Sequence, residues 1–330
     1  MKKRILEKLK ENEGYISGEK LSEEFGVSRT AVWKNINSLK EEGYKIVSAP
    51  RRGYKLVSNP DILSKEEILP ELDTEFIGQN YIYIKEVDST NEEIKRRSGE
   101  LEDGSAVVSE HQTAGKGRLG RKWYSPEKEG IYFSLILRPE IPPFEAPKIT
   151  QIGAAALVKT LSELGIEAEV KWPNDIVAGG KKIAGILTEM SGELMAIDYI
   201  VLGIGINTSI DYGRDIEGEF GESLKEKAGS LSDISENFDR KSLLIKLFEN
   251  FEELYKDFLN RKTAEKSIEI CREYSAVLGK KVRIIRKNEE TVRKAVEIDE
   301  NGALVLEDEN GNRETVISGE VSVRGESSYI

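Results

Sequence analysis

The net charge of the chain changes sign near residue 58, which indicates two parts with different surroundings. Residues 1–58 contain 13 Lys and Arg, 8 Glu and no Asp, which gives them a net charge of +5. The whole chain has 49 Lys and Arg against 60 Asp and Glu, a net charge of −11, so the other 272 residues carry −16. A basic module joined to an acidic body indicates that only the module meets a polyanion. A solvated helical surface would show the same charge balance.

Length and composition indicate a globular chain of several domains. At 330 residues the chain is long for one domain, so two or three are expected. It is 38% hydrophobic and 33% charged, which is enough apolar content for a core and excludes general disorder. Cys271 is the one cysteine and His111 the one histidine, so an intrachain disulfide and a Cys/His zinc cluster are both excluded.

Neither a signal peptide nor a membrane span is expected. The first fifteen residues have no apolar run after their basic residues. The longest apolar stretch, near residues 199–206, is too short to cross a bilayer. We therefore expect a cytoplasmic protein with no membrane partner.

The first 58 residues predict three helices followed by a two-stranded wing. Apolar residues recur at helical spacing in residues 2–10, and Ser17 and Ser28 precede two further helical patterns as N-caps. Gly26 ends the second helix, and strands follow near residues 45–48 and 53–57. Helix, short glycine-containing turn and helix make a helix-turn-helix, here with a wing.

In a winged helix-turn-helix the third helix enters the major groove through its N-terminal residues. The candidate contacts on this helix and at the wing tip are Ser28, Arg29, Thr30, Trp33, Lys34, Arg51 and Arg52. Three-helix modules also serve as protein-interaction domains. Basic residues at both expected contact elements favour DNA binding.

The most informative segment of the central region is a loop rich in glycine and cations. After predicted strands near residues 81–85 and 106–110, residues 111–123 place Gly115, Gly117 and Gly120 among four cations. Glycines allow a backbone to approach a ligand closely, and four adjacent cations repel one another unless an anion is present. A phosphate or carboxylate ligand is therefore expected to order this loop. The loop matches neither the P-loop nor the Rossmann glycine spacing.

Three further segments have turn and strand signals. A strand near residues 168–171 runs into a Trp-Pro-Asn-Asp turn, and Gly179 and Gly180 form a hairpin turn before a strand over 181–189. A buried strand over 199–207 contains Gly203 and Gly205, where a ligand or another backbone can approach closely. Asp88 or Ser89 is a reasonable cap for a helix that ends near Arg97. Ordinary packing explains each of these elements when it is taken alone.

The C-terminal part changes from helix to short strands. Residues 242–259 are strongly helical, and strands are predicted over 281–286, 291–298, 304–306 and 315–324. Asn301-Gly302 and Asn310-Gly311 are hairpin signals. We divide the chain into residues 1–62, 63–274 and 275–330, and the last of these predicts a small β-barrel.

Five segments in this order resemble the motifs of biotin–protein ligases: residues 88–91, 115–123, 171–175, 182–187 and 203–207. With the winged module in front, the resemblance is to the bifunctional type that also represses the biotin operon. It implies an α+β multidomain fold with a winged helix-turn-helix, a central mixed-sheet α/β ligase domain and a C-terminal SH3-like β-barrel. One residue departs from the pattern, because Lys116 stands where the family usually has arginine. Lysine keeps the charge but loses the planar fork.

The resemblance implies a two-step reaction in which biotin is activated by ATP and transferred to a lysine of a carrier protein. It implies catalytic roles for Arg118 and Lys182, with Mg²⁺ entering on the phosphates of ATP and no metal ligand assigned. The implied biotin site comprises Ser89, Thr90, Asn91, Gln112, Gly115, Lys116, Gly117, Arg118, Lys182, Gly203 and Gly205. The implied ATP site comprises Arg118, Arg121, Trp123, Lys171, Asn174, Asp175, Lys182 and Asn207.

The implied partners are a biotin carboxyl carrier protein, operator DNA and, when the adenylate is bound, a second copy of the chain. Three alternatives stay open: a lipoate-type ligase, a biotin-sensing regulator without catalysis, and a ligase whose first module no longer binds DNA. Lys171–Asp175 and the Gly-Lys-Gly-Arg sequence of the loop favour biotin over lipoate, and Arg118 and Lys182 favour catalysis. His111 is expected to be structural, because a lone histidine usually is.

Overall fold

The computed structural model describes residues 1–58, 61–193, 196–212, 224, 226–235, 238–286, 289–317 and 322–325. The chain divides into two compact units, Met1–Ile62 and Leu63–Ile330. Across the described residues, no helix combines the length and the apolar character that a membrane span requires.

The first unit is a winged helix-turn-helix. Its helices are α1 (Lys2–Lys10), α2 (Gly18–Phe25) and α3 (Arg29–Glu41), and its wing is formed by β1 (Lys45–Ala49) and β2 (Gly53–Ser58). The predicted N-caps are confirmed: the hydroxyls of Ser17 and Ser28 accept hydrogen bonds from the amides of Lys20 and Ala31 at 3.0 and 3.1 Å. Gly26 ends α2 in the left-handed conformation that glycine favours. The apolar faces of the helices form one core, which includes Ile5, Leu21, Val32, Ile36 and Leu39.

The second unit is built on a seven-stranded mixed sheet. Its strands are β3 (Tyr81–Val87), β4 (Ala106–Gln112), β5 (Gly130–Leu137), β6 (Glu169–Lys171), β7 (Asp175–Ala178), β8 (Lys181–Gly192) and β9 (Ile197–Asn207). Their order is β3-β4-β5-β9-β8-β7-β6, and β3 and β4 form the parallel pair. The helix α4 (Lys65–Ile68) precedes β3, and α5 (Thr90–Arg96) connects β3 to β4.

Helices cover both faces of this sheet. On one face, α6 (Ala146–Glu163) and the helix Arg240–Arg261 share the largest core with the strands. On the other face, Ile94 of α5 packs with Val107, Ile136 and Val201. Sequence analysis did not predict β5 or α6, because all eight residues of β5 and nearly all of α6 are buried. Segments that are buried on every side show no periodic pattern.

The C-terminal strands form a five-stranded antiparallel sheet. Its order is β13 (Arg313–Val316), β12 (Leu304–Glu307), β11 (Glu289–Ile298), β10 (Lys281–Arg286) and β14 (Ser322–Gly325). The single strand predicted over residues 315–324 is wrong, because β13 and β14 lie at opposite edges of the sheet. Among the described residues these two edge strands do not pair, so closure into a barrel stays a prediction. The indole of Trp172 donates to Gly302 O at 2.9 Å and connects this sheet to the seven-stranded sheet.

Candidate active site

Two adjoining clefts lie between the glycine-rich segment and strands β8 and β9. The first cleft has a volume of about 50 Å³ and the second about 440 Å³. Predicted biotin-site residues on the first cleft are Ser89, Thr90, Asn91, Gln112, Lys116, Gly117, Arg118, Lys182, Gly203 and Gly205. Predicted ATP-site residues on the second are Arg118, Arg121, Trp123, Asn174, Asp175, Lys182 and Asn207. The structure thus brings together every predicted biotin-site and ATP-site residue except Gly115 and Lys171, which line neither cleft.

The turn between β3 and α5 lines the first cleft. The backbone amide of Thr90 donates to Gln112 Oε1 at 2.9 Å, and Gln112 Nε2 donates to Ser125 Oγ at 2.9 Å. These bonds fix the orientation of the Gln112 amide. Ser89, one of the two predicted caps, is the N-cap residue of α5, although its side chain makes no capping hydrogen bond. Asp88 instead accepts two hydrogen bonds from Arg96, which are the main reason that its pKa falls to about 2.

Asn91 is held at both ends of its amide. The hydroxyl of Ser134 donates to Asn91 Oδ1 at 2.5 Å, and Asn91 Nδ2 donates to Glu189 Oε2 at 2.7 Å. A Cβ atom on Gly203 would lie 2.1 Å from Asn91 Oδ1. The close approach predicted for this strand glycine is therefore made by a side chain that shapes the cleft.

The glycine-rich segment forms a tight hairpin. The amide of Gly117 donates to Arg121 O, and the amide of Trp123 donates to Gly115 O, both at 2.8 Å. A Cβ on Gly115 would lie 2.5 Å from Trp123 O, so this glycine allows the hairpin to close. This explains why Gly115 does not line the cleft.

Arg118 and Lys182 lie on the boundary that the two clefts share. Arg118 Nη1 donates to Asn174 Oδ1 at 2.8 Å, and Lys182 Nζ lies 2.5 Å from Asp175 Oδ1. Burial lowers the pKa of the Arg118 guanidinium, and Asp175 opposes that shift. Arginine stays charged under such conditions. Two cations therefore face the place where a ligand in the first cleft meets a ligand in the second.

Trp123 forms a wall between the clefts. Its ring lies against Gly185 and Gly205, a cross-strand pair in which added Cβ atoms would come within 2.9 and 2.4 Å of ring atoms. Lys182 Nζ is 5.0 Å from the ring centroid, within the range of a cation–π contact. The absence of a side chain at both glycines therefore leaves room for the indole ring of Trp123.

Lys171 lies behind the second cleft. Its side chain is 2% exposed, and its pKa is lowered to about 6, chiefly by burial and then by the charge of Arg324. Asn207 is also buried, and its Nδ2 donates to Gly229 O at 3.0 Å and to Lys182 O at 3.4 Å. Asn207 therefore supports the backbone that carries Lys182.

Several residues at or beside the clefts were not predicted. Glu92 and Glu189 hold cleft residues, Ser134 supports Asn91, and Lys227 and Arg324 line the second cleft. A serine within the apolar strand β5 was a usable signal, because a buried hydroxyl requires a partner. Nothing local in the sequence marks Arg324, which the C-terminal sheet brings to the cleft.

The remaining candidates lie outside both clefts. His111 Nδ1 is 3.0 Å from Glu86 Oε2, an arrangement that fits the structural role expected of it. Cys271 is fully buried, which raises the pKa of its thiol to about 12. In the part of the chain that the structure describes, no cluster of three or more His, Cys, Asp or Glu side chains could hold a metal ion.

The predicted DNA-contact residues occupy α3 and the wing of the first unit. Ser28 is used as the N-cap, Arg29 pairs with Glu19, and Arg52 stacks on the Tyr15 ring with its Cζ 4.3 Å from the centroid. Trp33 is 53% exposed on the side of α3 away from the core. The other predicted contacts are Thr30, Lys34 and Arg51, all exposed.

Models of known protein families match residues in both units of the chain. The Biotin/lipoate A/B protein ligase family matches residues 83–207, an HTH domain matches residues 2–55, and the Biotin protein ligase C terminal domain matches residues 277–324. The chain is 38% identical to a bifunctional ligase/repressor BirA of Bacillus spizizenii, over 90% of each protein. It is 32% identical to that of Escherichia coli, over 95% of this chain and 94% of the relative.

A solved structure is similar to about three quarters of the chain. The biotin protein ligase from Aquifex aeolicus in complex with biotin and ATP has a TM-score of 0.64 and 32% identity. The match covers 75% of this chain and 99% of that one. On the identity and coverage of these relatives, the chain belongs to the biotin protein ligase family, within the group of bifunctional ligase/repressors.

Proposed function

We propose that this protein is a cytoplasmic ATP-dependent ligase that forms biotinyl-5′-AMP and transfers biotin to a lysine of a biotin carboxyl carrier protein. It also binds operator DNA through its first unit as a biotin-responsive repressor. The observation that carries the enzymatic proposal is the position of Arg118 and Lys182 on the boundary between two clefts.

The first step requires two anions to meet. A carboxylate oxygen of biotin attacks the α-phosphorus of ATP, and the bond to pyrophosphate breaks. Arg118 and Lys182 reduce the repulsion between these anions and align them, which is electrostatic and positional catalysis. The guanidinium suits a carboxylate or phosphate because of its planar set of donors.

The second step transfers the acyl group. The amine of the carrier lysine attacks the mixed anhydride, AMP leaves and the amine loses a proton. Neither step uses an enzyme nucleophile. Biotin is assigned to the first cleft, where the polar groups of Thr90, Asn91 and Gln112 suit the donors and acceptors of a ureido ring. ATP is assigned to the second cleft, where Arg121 and Arg324 supply positive charge.

Mg²⁺ is expected with ATP. This ion keeps several waters and is held mainly by substrate phosphates with one or two carboxylates. Asp175 is a carboxylate on the wall of the second cleft, so it fits that role. When bound, Mg²⁺ would neutralise developing charge on the phosphates.

The enzymatic proposal is tested by an assay with ATP, Mg²⁺ and carrier protein, run in parallel with labelled biotin and labelled lipoate. We expect labelling with biotin alone, and loss of adenylate formation by at least about a hundredfold in Lys182→Met, because one charge at the reacting centre is removed. The matched control is Lys181→Met, a neighbouring exposed lysine that lines neither cleft. Labelling with lipoate and not biotin would falsify the substrate assignment.

The regulatory proposal concerns the formation of a homodimer in response to the adenylate. Binding of the adenylate orders the glycine-rich hairpin and favours a homodimer, since a dimer can engage two half-sites of an operator. Sedimentation with and without biotinyl-5′-AMP tests this step, and we expect the mass to double when the adenylate is present. An unchanged mass contradicts the dimer proposal and leaves the ligase assay unaffected.

A further inference from the structure

A chain of charged side chains runs from the glycine-rich hairpin to Asn91, which lines the first cleft. Lys116 Nζ lies 2.7 Å from Glu92 Oε1, and the same oxygen is 2.9 Å from Lys95 Nζ. Lys95 Nζ is 2.6 Å from Glu189 Oε1, and Glu189 Oε2 accepts from Asn91. We call Lys116, Glu92, Lys95 and Glu189 the charge ladder.

The ladder alternates in sign and connects elements that are far apart in sequence. Lys116 belongs to the hairpin, Glu92 and Lys95 to α5, and Glu189 to β8. Hydrogen bonds from Lys116 and then Lys95 lower the pKa of Glu92. Burial alone would lower the pKa of Lys95, but bonds to Glu189 and Glu92 outweigh it and raise the pKa. Both shifts favour the charged forms of Glu92 and Lys95, and every contact in the ladder joins a lysine to a glutamate.

Within the ladder, Glu92 is the residue that contacts the hairpin, through Lys116. Its carboxylate lies in neither cleft, so it does not touch a ligand there. It offsets positive charge in a segment that also contains Arg118, Arg121 and Lys122. A lysine at position 116 delivers its charge at the end of a flexible stem, so an anion is needed to hold that side chain in one place.

Resting on the proposed function, we infer that Glu92 is a positioning residue, which holds the hairpin over the cleft through Lys116 and thereby sets how long the adenylate is retained. The ladder orients the hairpin before a ligand arrives, which reduces the ordering that binding must accomplish. Glu189 and Lys95 support Glu92 from the other side and connect it to the Asn91 amide. Loss of Glu92 leaves the reacting groups Arg118 and Lys182 intact but loosens the hairpin that covers them.

The test measures release of enzyme-bound labelled biotinyl-5′-AMP during a chase with unlabelled adenylate. We expect Glu92→Gln to release it about two- to fivefold faster, since one partly exposed ion pair, with Lys116, joins Glu92 to the hairpin. The rate of adenylate formation at saturating substrates should stay within about twofold, because the reacting groups are unchanged. The matched control is Glu93→Gln, which alters the next residue of α5, whose partners are Arg96 and Arg97.

A double-mutant cycle tests whether Glu92 acts on adenylate release through Lys116. Adding Glu92→Gln to Lys116→Gln should produce no further acceleration, because the shared contact is already lost. Lys95→Gln is a second variant that loosens Glu92 from its other side, and it should accelerate release in the same direction. Equal release by wild type and Glu92→Gln, or an undiminished effect of Glu92→Gln in the Lys116→Gln protein, overturns the inference. If wild type forms no adenylate, the proposed function itself fails.

Discussion

At the residue scale, cations of the site already have anionic partners. Lys182 faces Asp175 and Lys116 faces Glu92, both in direct contact. A ligand that carries a carboxylate or a phosphate therefore replaces or joins an existing partner. This arrangement allows several cations to be gathered in one place without strong mutual repulsion. The specificity of the site then depends on the geometry of the ligand as well as on its charge.

The strand glycines give a first residue-scale prediction. Gly205→Ala places a Cβ 2.4 Å from Trp123 Nε1, which forces the indole away from its seat. We expect the KM for biotin or ATP to rise about tenfold or more, because a displacement of about 1 Å at a site can cost a hundredfold. Steady-state kinetics measure the effect. Gly99→Ala is the control, since no atom lies within 4 Å of its added Cβ, and kinetics of Gly205→Ala like those of this control would contradict the prediction.

Lys171 gives a prediction about pH. Its pKa is about 6 in the folded protein against 10.5 for an ordinary lysine, so between these values the unfolded chain binds a proton that the folded chain does not. The contribution of Lys171 to stability therefore rises as pH rises through this window and is least favourable below it. Lys171→Met removes this dependence. We expect the Tm of Lys171→Met relative to wild type to be higher near pH 6.5 than near pH 8.5.

Thermal unfolding at the two pH values measures this difference. Lys148→Met serves as the control, because Lys148 is 9% exposed but lies beside Glu145, with Nζ 3.5 Å from Oε1. An equal difference in Tm between Lys171→Met and wild type at the two pH values would contradict the conclusion that burial lowers the pKa of Lys171.

At the element scale, the sequence predicted elements that have a local signature. Ser17, Ser28 and Gly26 mark helix ends through their own chemistry, and Gly179 and Gly180 mark the turn between β7 and β8. The strand β5 and helix α6 lack such marks because they are buried on all sides. Likewise, the contact of Asn91 with Glu189, 98 residues away, depends on the order of strands in the sheet.

The sequence predicted the residues that line the site better than the residues that hold them in place. Arg118, Lys182 and the Ser89–Asn91 turn were found because they lie in motifs with a resemblance to known ligases. Glu92 lies one residue beyond such a motif and looks like an ordinary charge on a solvated helix. Its role follows only from where the hairpin places Lys116.

The cap of α3 gives a prediction at this scale. Ser28→Ala removes the acceptor for the Ala31 amide, which should reduce local stability by about 0.5–2 kcal/mol. Hydrogen exchange in residues 29–41 of the full chain should then be faster, as followed by mass spectrometry. The control is Ser58→Ala, an exposed serine at the end of the wing strand β2. Equal exchange in the two variants would count against the cap.

At the scale of the whole molecule, charge separates two tasks. The first 58 residues carry +5 and the remainder −16, so the unit that is proposed to bind DNA is attracted to phosphates while the rest is repelled. The cations of the ligase sheet are largely enclosed by clefts or paired with acids. Nucleic acid is therefore directed to α3 and the wing, and the two activities need not compete for one polyanion.

This separation predicts how DNA binding depends on salt. Each Lys or Arg that neutralises a phosphate adds about one unit to the slope of log affinity against log salt. Arg51 is exposed at the wing tip and Lys34 on α3, so Arg51→Gln and Lys34→Gln should each weaken binding to all DNA sequences and reduce that slope by about one. The control is Arg261→Gln, an exposed cation at the end of a helix in the second unit, which should change neither quantity. Fluorescence anisotropy of the full chain over a range of salt concentrations measures all three variants. Because the slope counts released ions, an unchanged slope in both first-unit variants would place the DNA-binding surface elsewhere on the molecule.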